Sequence, residues 1–75
     1  MIMNKYARHG DRVVFKHPDN GCEADQELAR KHLQVDKVYT VDITYVHSNH
    51  TDVFLIEVPR VPFSNLIFED SAQRR

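Results

Sequence analysis

KVYTVDITYVHSNHTDVFLIEV, residues 37–58, decides the fold. Two runs rich in β-branched and aromatic residues flank the short polar centre Ser48-Asn49-His50-Thr51, which is the strongest hairpin signal in the chain. A two-residue turn at Asn49-His50 sets His47 opposite Asp52, Tyr45 opposite Phe54, Ile43 opposite Ile56 and Val41 opposite Val58. That register makes an apolar ladder expected to build the core. The other face carries Val46 opposite Val53, Thr44 opposite Leu55 and Asp42 opposite Glu57. Two carboxylates directly opposed are unfavourable, so a β-bulge is expected near Asp42, and it would switch faces beyond it. Val53-Phe54-Leu55-Ile56 is apolar on both faces, which calls for a second layer, a helix or a partner over the outer side.

The flanking sequence reads as cover for this hairpin. Residues 1–9 lack periodicity and read as a frayed, flexible end, with Ile2 and Tyr6 as the residues able to dock, and 70–75 as a flexible polar end. Gly10-Asp11 turns into the short strand Arg12–Lys16, which His17-Pro18-Asp19-Asn20-Gly21 closes. From Cys22 to Leu33 the period becomes helical. Asn20 and Glu23 are spaced as a capping box, and Ala24, Leu28 and His32 share a face flanked by Ala29 and Leu33. So short a helix does not persist alone in water and must lie on the sheet through Leu28. Pro59 and Pro62 bracket an extended turn, after which 63–68 offers a tight turn and a last apolar strand.

Seventy-five residues make one domain, 1–75, with no room for a second lobe. Hydrophobic residues are 41% and charged residues 28% of the chain, a globular composition. At this size a core supplies only about 3–5 kcal/mol, so a partner or self-association would help. The net charge is −1, and neither half rescues a basic surface: 1–35 carry six basic and five acidic side chains, 36–75 four and six. Duplex nucleic acid and anionic membrane, both held by concentrated positive charge, are disfavoured. The single Cys22 excludes an internal disulfide and a cysteine zinc site. Residues 1–5 hold no apolar signal core and no window reaches membrane-span length, so a cytoplasmic location is expected.

The order of elements is that of a small SH3-like antiparallel β-barrel of about five strands with one short helix inserted after the first strand. Beyond topology, Gly10-Asp11-Arg12-Val13, Tyr39-Thr40-Val41, His47-Ser48 with Thr51, Val53 and Leu55, then Glu57, Pro59, Phe63 and Phe68-Glu69 form a pattern over about residues 10–69. On these residues the chain resembles a family of small uncharacterised bacterial and phage proteins. It departs from the usual pattern in the order Ser64-Asn65 and in Arg60, where Gly is common. The resemblance implies a fold and a mobile-element origin, and it transfers no active site.

Chemistry-bearing residues are few. Five of the 75 residues are histidine. His47 and His50 at the tip, with Asp52, are acceptable first-row metal ligands, but a direct His47–Asp52 hydrogen bond, with His50 pointing into water, is the simpler reading. No metal or cofactor is expected. Cys22 beside a helix start is reactive only if its pKa is lowered and lacks an orienting third group; a half-buried structural thiol is the plainer assignment. Ser48 and His47 are adjacent in sequence and point to opposite faces of a strand. Asp25 with Glu27, and Glu69 with Asp70, read as solvated charges, and two glycines cannot form a phosphate loop. Of Phe15, Tyr39, Tyr45, Phe54, Phe63 and Phe68, most are needed in the core, and any that surface near the tip would form an adhesive patch.

The sequence therefore points to a non-enzymatic protein-interaction module. It binds a protein partner or its own copy through Tyr45, His47, Asn49, His50, Asp52 and Phe54. The alternative is a small barrel binding single-stranded nucleic acid by base stacking, with Arg8, Arg12, Lys16, Arg30 and Lys31 as its basic groups. A metal-binding histidine site at the tip ranks third.

Overall fold

A computed structural model describes residues 2–71. The elements are β1 (Arg12–Phe15), α1 (Glu23–His32), β2 (Val38–Val46), β3 (Thr51–Leu55), β4 (Phe63–Ser64), a 3-10 turn (Asn65–Ile67) and β5 (Phe68–Asp70). The protein is mainly β: one five-stranded antiparallel sheet in the order β4-β3-β2-β1-β5, with one short helix between its first two strands. The sheet is not closed into the barrel expected from element order, because β4 and β5 stand at opposite edges. It is nevertheless strongly curled. Those edge strands are joined by the three residues of the 3-10 turn, which span about 6 Å, whereas edges of a flat five-stranded sheet lie about 19 Å apart.

The bend has a local cause in β2. Pairing with β3 runs Val46–Thr51, Tyr45–Asp52, Thr44–Val53 and Ile43–Phe54, then shifts at a bulge to Val41–Leu55. The expected bulge near Asp42 is present. The Asp42–Glu57 opposition that led to this expectation does not arise in the observed register, where the bulged Asp42 falls opposite Leu55. Asp42 turns to His9, whose Nδ1 lies 3.1 Å from its Oδ1, and Glu57 accepts the Thr40 backbone N–H. The expected register is corrected by two residues, because the loop is four residues, His47–His50, closed by the His47 N–H donating to the His50 carbonyl at 2.8 Å.

The core lies on the concave side. Val13 and Phe15 of β1, Tyr39 and Val41 of β2, Val53 and Leu55 of β3, Phe63, Ile67 and Phe68 are all buried. Phe68 sits between two aromatic neighbours, Phe15 and Phe63, each with its ring centroid at 6.3 Å. The ladder expected to build the core, Ile43, Tyr45, Phe54 and Ile56, is instead the convex face beyond the bulge: 44%, 51% and 47% of Ile43, Tyr45 and Ile56 remain exposed. The reversal follows from the bulge, since Tyr39 and Val41 point inward before it and only half-buried Thr44 does so after it.

The helix closes the concave side. Ala29 is fully buried and Leu33, just past the end, nearly so, while Leu28 packs partly on the core; Ala24 and His32 are exposed. The buried stripe is thus turned from the expected one, and Ala29, having almost no side chain, lets the helix approach the sheet closely. Cys22 is the N-cap, not Asn20, and Asp25 accepts its N–H at 3.2 Å. Asn20 donates to the Leu66 carbonyl at 2.8 Å and so ties the loop before the helix to the 3-10 turn.

The amino-terminal arm docks through Met3 and Ala7, both buried, while Ile2 and Tyr6 are exposed. The Met3 N–H donates to the Phe68 carbonyl at 2.9 Å and the Gly10 N–H to the Val41 carbonyl at 2.8 Å, so the arm follows both halves of the sheet. Residues 72–75 of the expected flexible end, and Met1, lie outside the described residues.

Candidate functional site

Two features meet on the β2–β3 hairpin. The first is the convex strip. Tyr45 and Phe54 are diagonal neighbours in the observed register, and their rings meet edge to face with centroids 5.7 Å apart at 89°. That arrangement holds the exposed Tyr45 ring against the partly buried Phe54. Ile43, paired with Phe54, and Ile56 extend the strip away from the tip. The helix lies on the opposite side of the sheet, so the cover that Phe54 and Ile56 call for is not supplied by it.

The second feature is the tip. The closed four-residue loop brings His50 back over His47, and the rings stack with centroids 4.4 Å apart and planes 25° from parallel. This corrects the expectation that His50 points into water, which assumed the tighter turn. Both imidazoles face Asp52: His47 Nε2–H donates to Oδ2 at 3.2 Å, and His50 Nε2 stands 3.8 Å from Oδ1. His50 Nδ1 lies 2.8 Å from Asn49 Oδ1. An amide oxygen only accepts, so that nitrogen carries the proton. One ligating atom from each of His47, His50 and Asp52 lies within 4.8 Å of the others. An open groove of about 310 Å³ runs from this cluster past Ser48 and Thr51 to Ser64, Asn65, Leu66 and Lys5.

All six residues singled out in the sequence therefore fall on one continuous surface, with Tyr45 paired to Asp52 as the joint between strip and tip. Sequence reasoning placed Ile43 and Ile56 in the core and missed them here. It also missed Lys5 and the 64–66 segment along the groove, for which no local signal exists because they arrive through β3–β4 pairing and the arm.

The other candidates do not converge. Cys22 is exposed, not half-buried. His17 Nε2 lies 2.9 Å from Glu69 Oε2 in a half-buried pair that joins the end of β1 to β5, and the His32 ring stands edge-on to Phe63 at 6.3 Å. Lys16 donates to Asp36 at 2.8 Å, and this carboxylate raises the lysine pKa above its ordinary value. One of the basic groups counted toward nucleic-acid binding is thereby neutralised locally. Among the described residues no helix is long and apolar enough to cross a membrane.

Fold and surface together define a small curled β-sheet protein with an apolar strip and a histidine–carboxylate tip on its central hairpin. Over residues 4–73 the chain matches the family of bacteriophage T4 protein Y07B, and it belongs to that family. No curated protein and no solved structure matches it. The phage side of the family resemblance read from the sequence is thereby shown.

Proposed function

We propose that this phage-family protein is a non-enzymatic protein-interaction module that docks a protein partner on the convex face of β2–β3, with the histidine tip at the rim. The single observation that carries the reading is the convex strip of exposed Ile43, Tyr45 and Ile56 around the partly buried Phe54. A small domain gains little by presenting a tyrosine and two isoleucine side chains side by side to water, whereas interface cores are enriched in aromatic residues and depleted of charge. Strand order, the 3-10 turn between β4 and β5 and the bulged β2 also support reading the curled sheet as an open SH3-like barrel.

The test places a photo-crosslinking residue at Tyr45 and, as a control, at Glu27, which is exposed on the helix on the opposite side of the sheet. Both proteins are irradiated in cells that express them and, purified, across a range of concentrations. A discrete adduct at position 45 that is absent at position 27 and lost on Ile56→Asp supports the reading. An adduct of twice the chain's mass with the purified protein identifies the partner as a second copy. Equal labelling at both positions, together with a monomer at every concentration in sedimentation, overturns it. Tight binding to a labelled oligonucleotide that falls steeply with salt would replace it with the nucleic-acid reading.

A further inference from the structure

We propose that His47, His50 and Asp52 form a three-ligand site for a divalent first-row transition ion of the Zn²⁺ class, with its remaining coordination position open to the groove. Two imidazoles and a carboxylate are the donor types such ions select, and a site with three protein ligands keeps a position for water or for a donor from another molecule. The spacing is close to what coordination requires. A tetrahedral ion with bonds near 2.0–2.1 Å sets its ligands about 3.4 Å apart. Here His47 Nε2 and Asp52 Oδ2 are 3.2 Å apart, His50 Nε2 and Asp52 Oδ1 are 3.8 Å apart, and the whole set lies within 4.8 Å. Closing the remaining gap requires the two exposed imidazoles to turn out of their stack toward a common point.

A second observation is independent of the spacing. The Asn49 side-chain oxygen accepts the His50 Nδ1 proton, so in the neutral imidazole the lone pair is on Nε2, which faces the Asp52 side of the loop. A hydrogen bond from the non-ligating ring nitrogen to an oxygen is the feature that orients histidine ligands in metal sites. His47 carries its proton on Nε2 in the metal-free arrangement, donating to Asp52. Metal binding moves that proton to Nδ1, replaces the N–H···O bond by metal bonds to Nε2 and to the carboxylate, and changes no net proton count at a neutral imidazole. The loop backbone is already closed by the His47–His50 hydrogen bond, so ordering it costs little on binding. This site does not depend on the docking surface being used, and its test needs no partner.

The experiment titrates the isolated ¹⁵N-labelled protein with zinc chloride near neutral pH and follows the ring nitrogens of all five histidines. The expected result is saturation at one equivalent, with the Nε2 signals of His47 and His50 shifting and His47 changing to the Nδ1–H form, while His9, His17 and His32 stay in place. His50→Ala and His47→Ala each weaken zinc binding by at least about tenfold, and Asn49→Ala, which removes only the orienting oxygen, by a smaller factor. His9→Ala, at an exposed histidine of β2's other end, leaves affinity unchanged. Unmoved His47 and His50 signals at millimolar zinc overturn the proposal, as does a drift of all five histidines without saturation, which marks non-specific binding. Zinc affinity unaffected by His50→Ala overturns it equally.

Discussion

Glu57 accepts the Thr40 backbone N–H with both carboxylate oxygens, at 2.8 and 3.1 Å, at the place where the bulge interrupts the pairing of β2 with β3. The neighbouring bond, Ile56 N–H to the Thr40 carbonyl at 2.9 Å, completes the exchange, so a side chain stands in for a strand at this point.

This relationship predicts a specific acid sensitivity. Burial pushes the Glu57 pKa up, but hydrogen bonding from Thr40 and from its own backbone, with Arg12 nearby, holds it below the ordinary 4.5. A carboxylate with a depressed folded pKa adds stability above its unfolded pKa and loses it as pH falls through the folded value. The wild type should therefore lose stability relative to Glu57→Gln as pH drops below about 4.5, by less than about 1 kcal/mol because the group is mostly solvated and screened. Urea melts of both proteins between neutral and acid pH check this, and parallel curves would refute it.

Arg60 predicts a stabilising substitution. Its φ of 71° lies in the left-handed region, which costs a side-chain-bearing residue about 1 kcal/mol. Arg60→Gly should raise the urea midpoint, corresponding to a gain of up to about 1 kcal/mol, and Arg60→Val should lower it. Asp36, at φ 73°, gains less from Gly, because short polar side chains tolerate this conformation and Lys16 bonds to it.

The core and the convex face should respond in opposite ways to truncation. Phe68→Ala removes the ring between Phe15 and Phe63 and costs about 3–5 kcal/mol, as much as so small a domain possesses. It should be unfolded by circular dichroism at room temperature. Ile43→Ala should shift stability by no more than about 0.5 kcal/mol. A folded Phe68→Ala protein would contradict the assignment of the concave side as the sole core.

Asn20→Ala should loosen two distant segments at once. The side chain bridges the loop before α1 to the 3-10 turn through Leu66, so its loss should cost about 1 kcal/mol and speed amide exchange around 65–67. Faster exchange confined to residues near 20 would show that the bridge carries no load.

The sequence made one kind of information legible and hid another. The alternation of residues 43–46 and 51–56 groups Ile43 and Tyr45 with Asp52, Phe54 and Ile56, and both the expected and the observed registers keep that grouping because they differ by two residues. The bulge near Asp42 was anticipated from an Asp42–Glu57 opposition that exists only in the two-residue-turn register, so its place was foreseen but its cause was not. Which group faces inward was not legible. Ile43, Tyr45, Phe54 and Ile56 are the more apolar set, whereas the true inner face includes Thr44 and the buried Thr51. The choice is made by Val13, Phe15, Ile67 and Phe68, which arrive from both ends of the chain and carry no mark of it in local sequence. The tip was legible as a histidine-rich turn, but the stacking of His47 on His50 depends on a loop length that two plausible turns left open.

The short, linked edges of the sheet carry a last consequence. A protein that displays an apolar face and also a long free strand edge invites copies of itself to add on, strand beside strand, into fibres. Here the edges are β4 and β5, only two and three residues long, and the 3-10 turn draws them toward each other. With so few unpaired backbone groups on offer, growth by strand addition is blocked. A partner on the proposed face would therefore be held through side chains and not by an added strand.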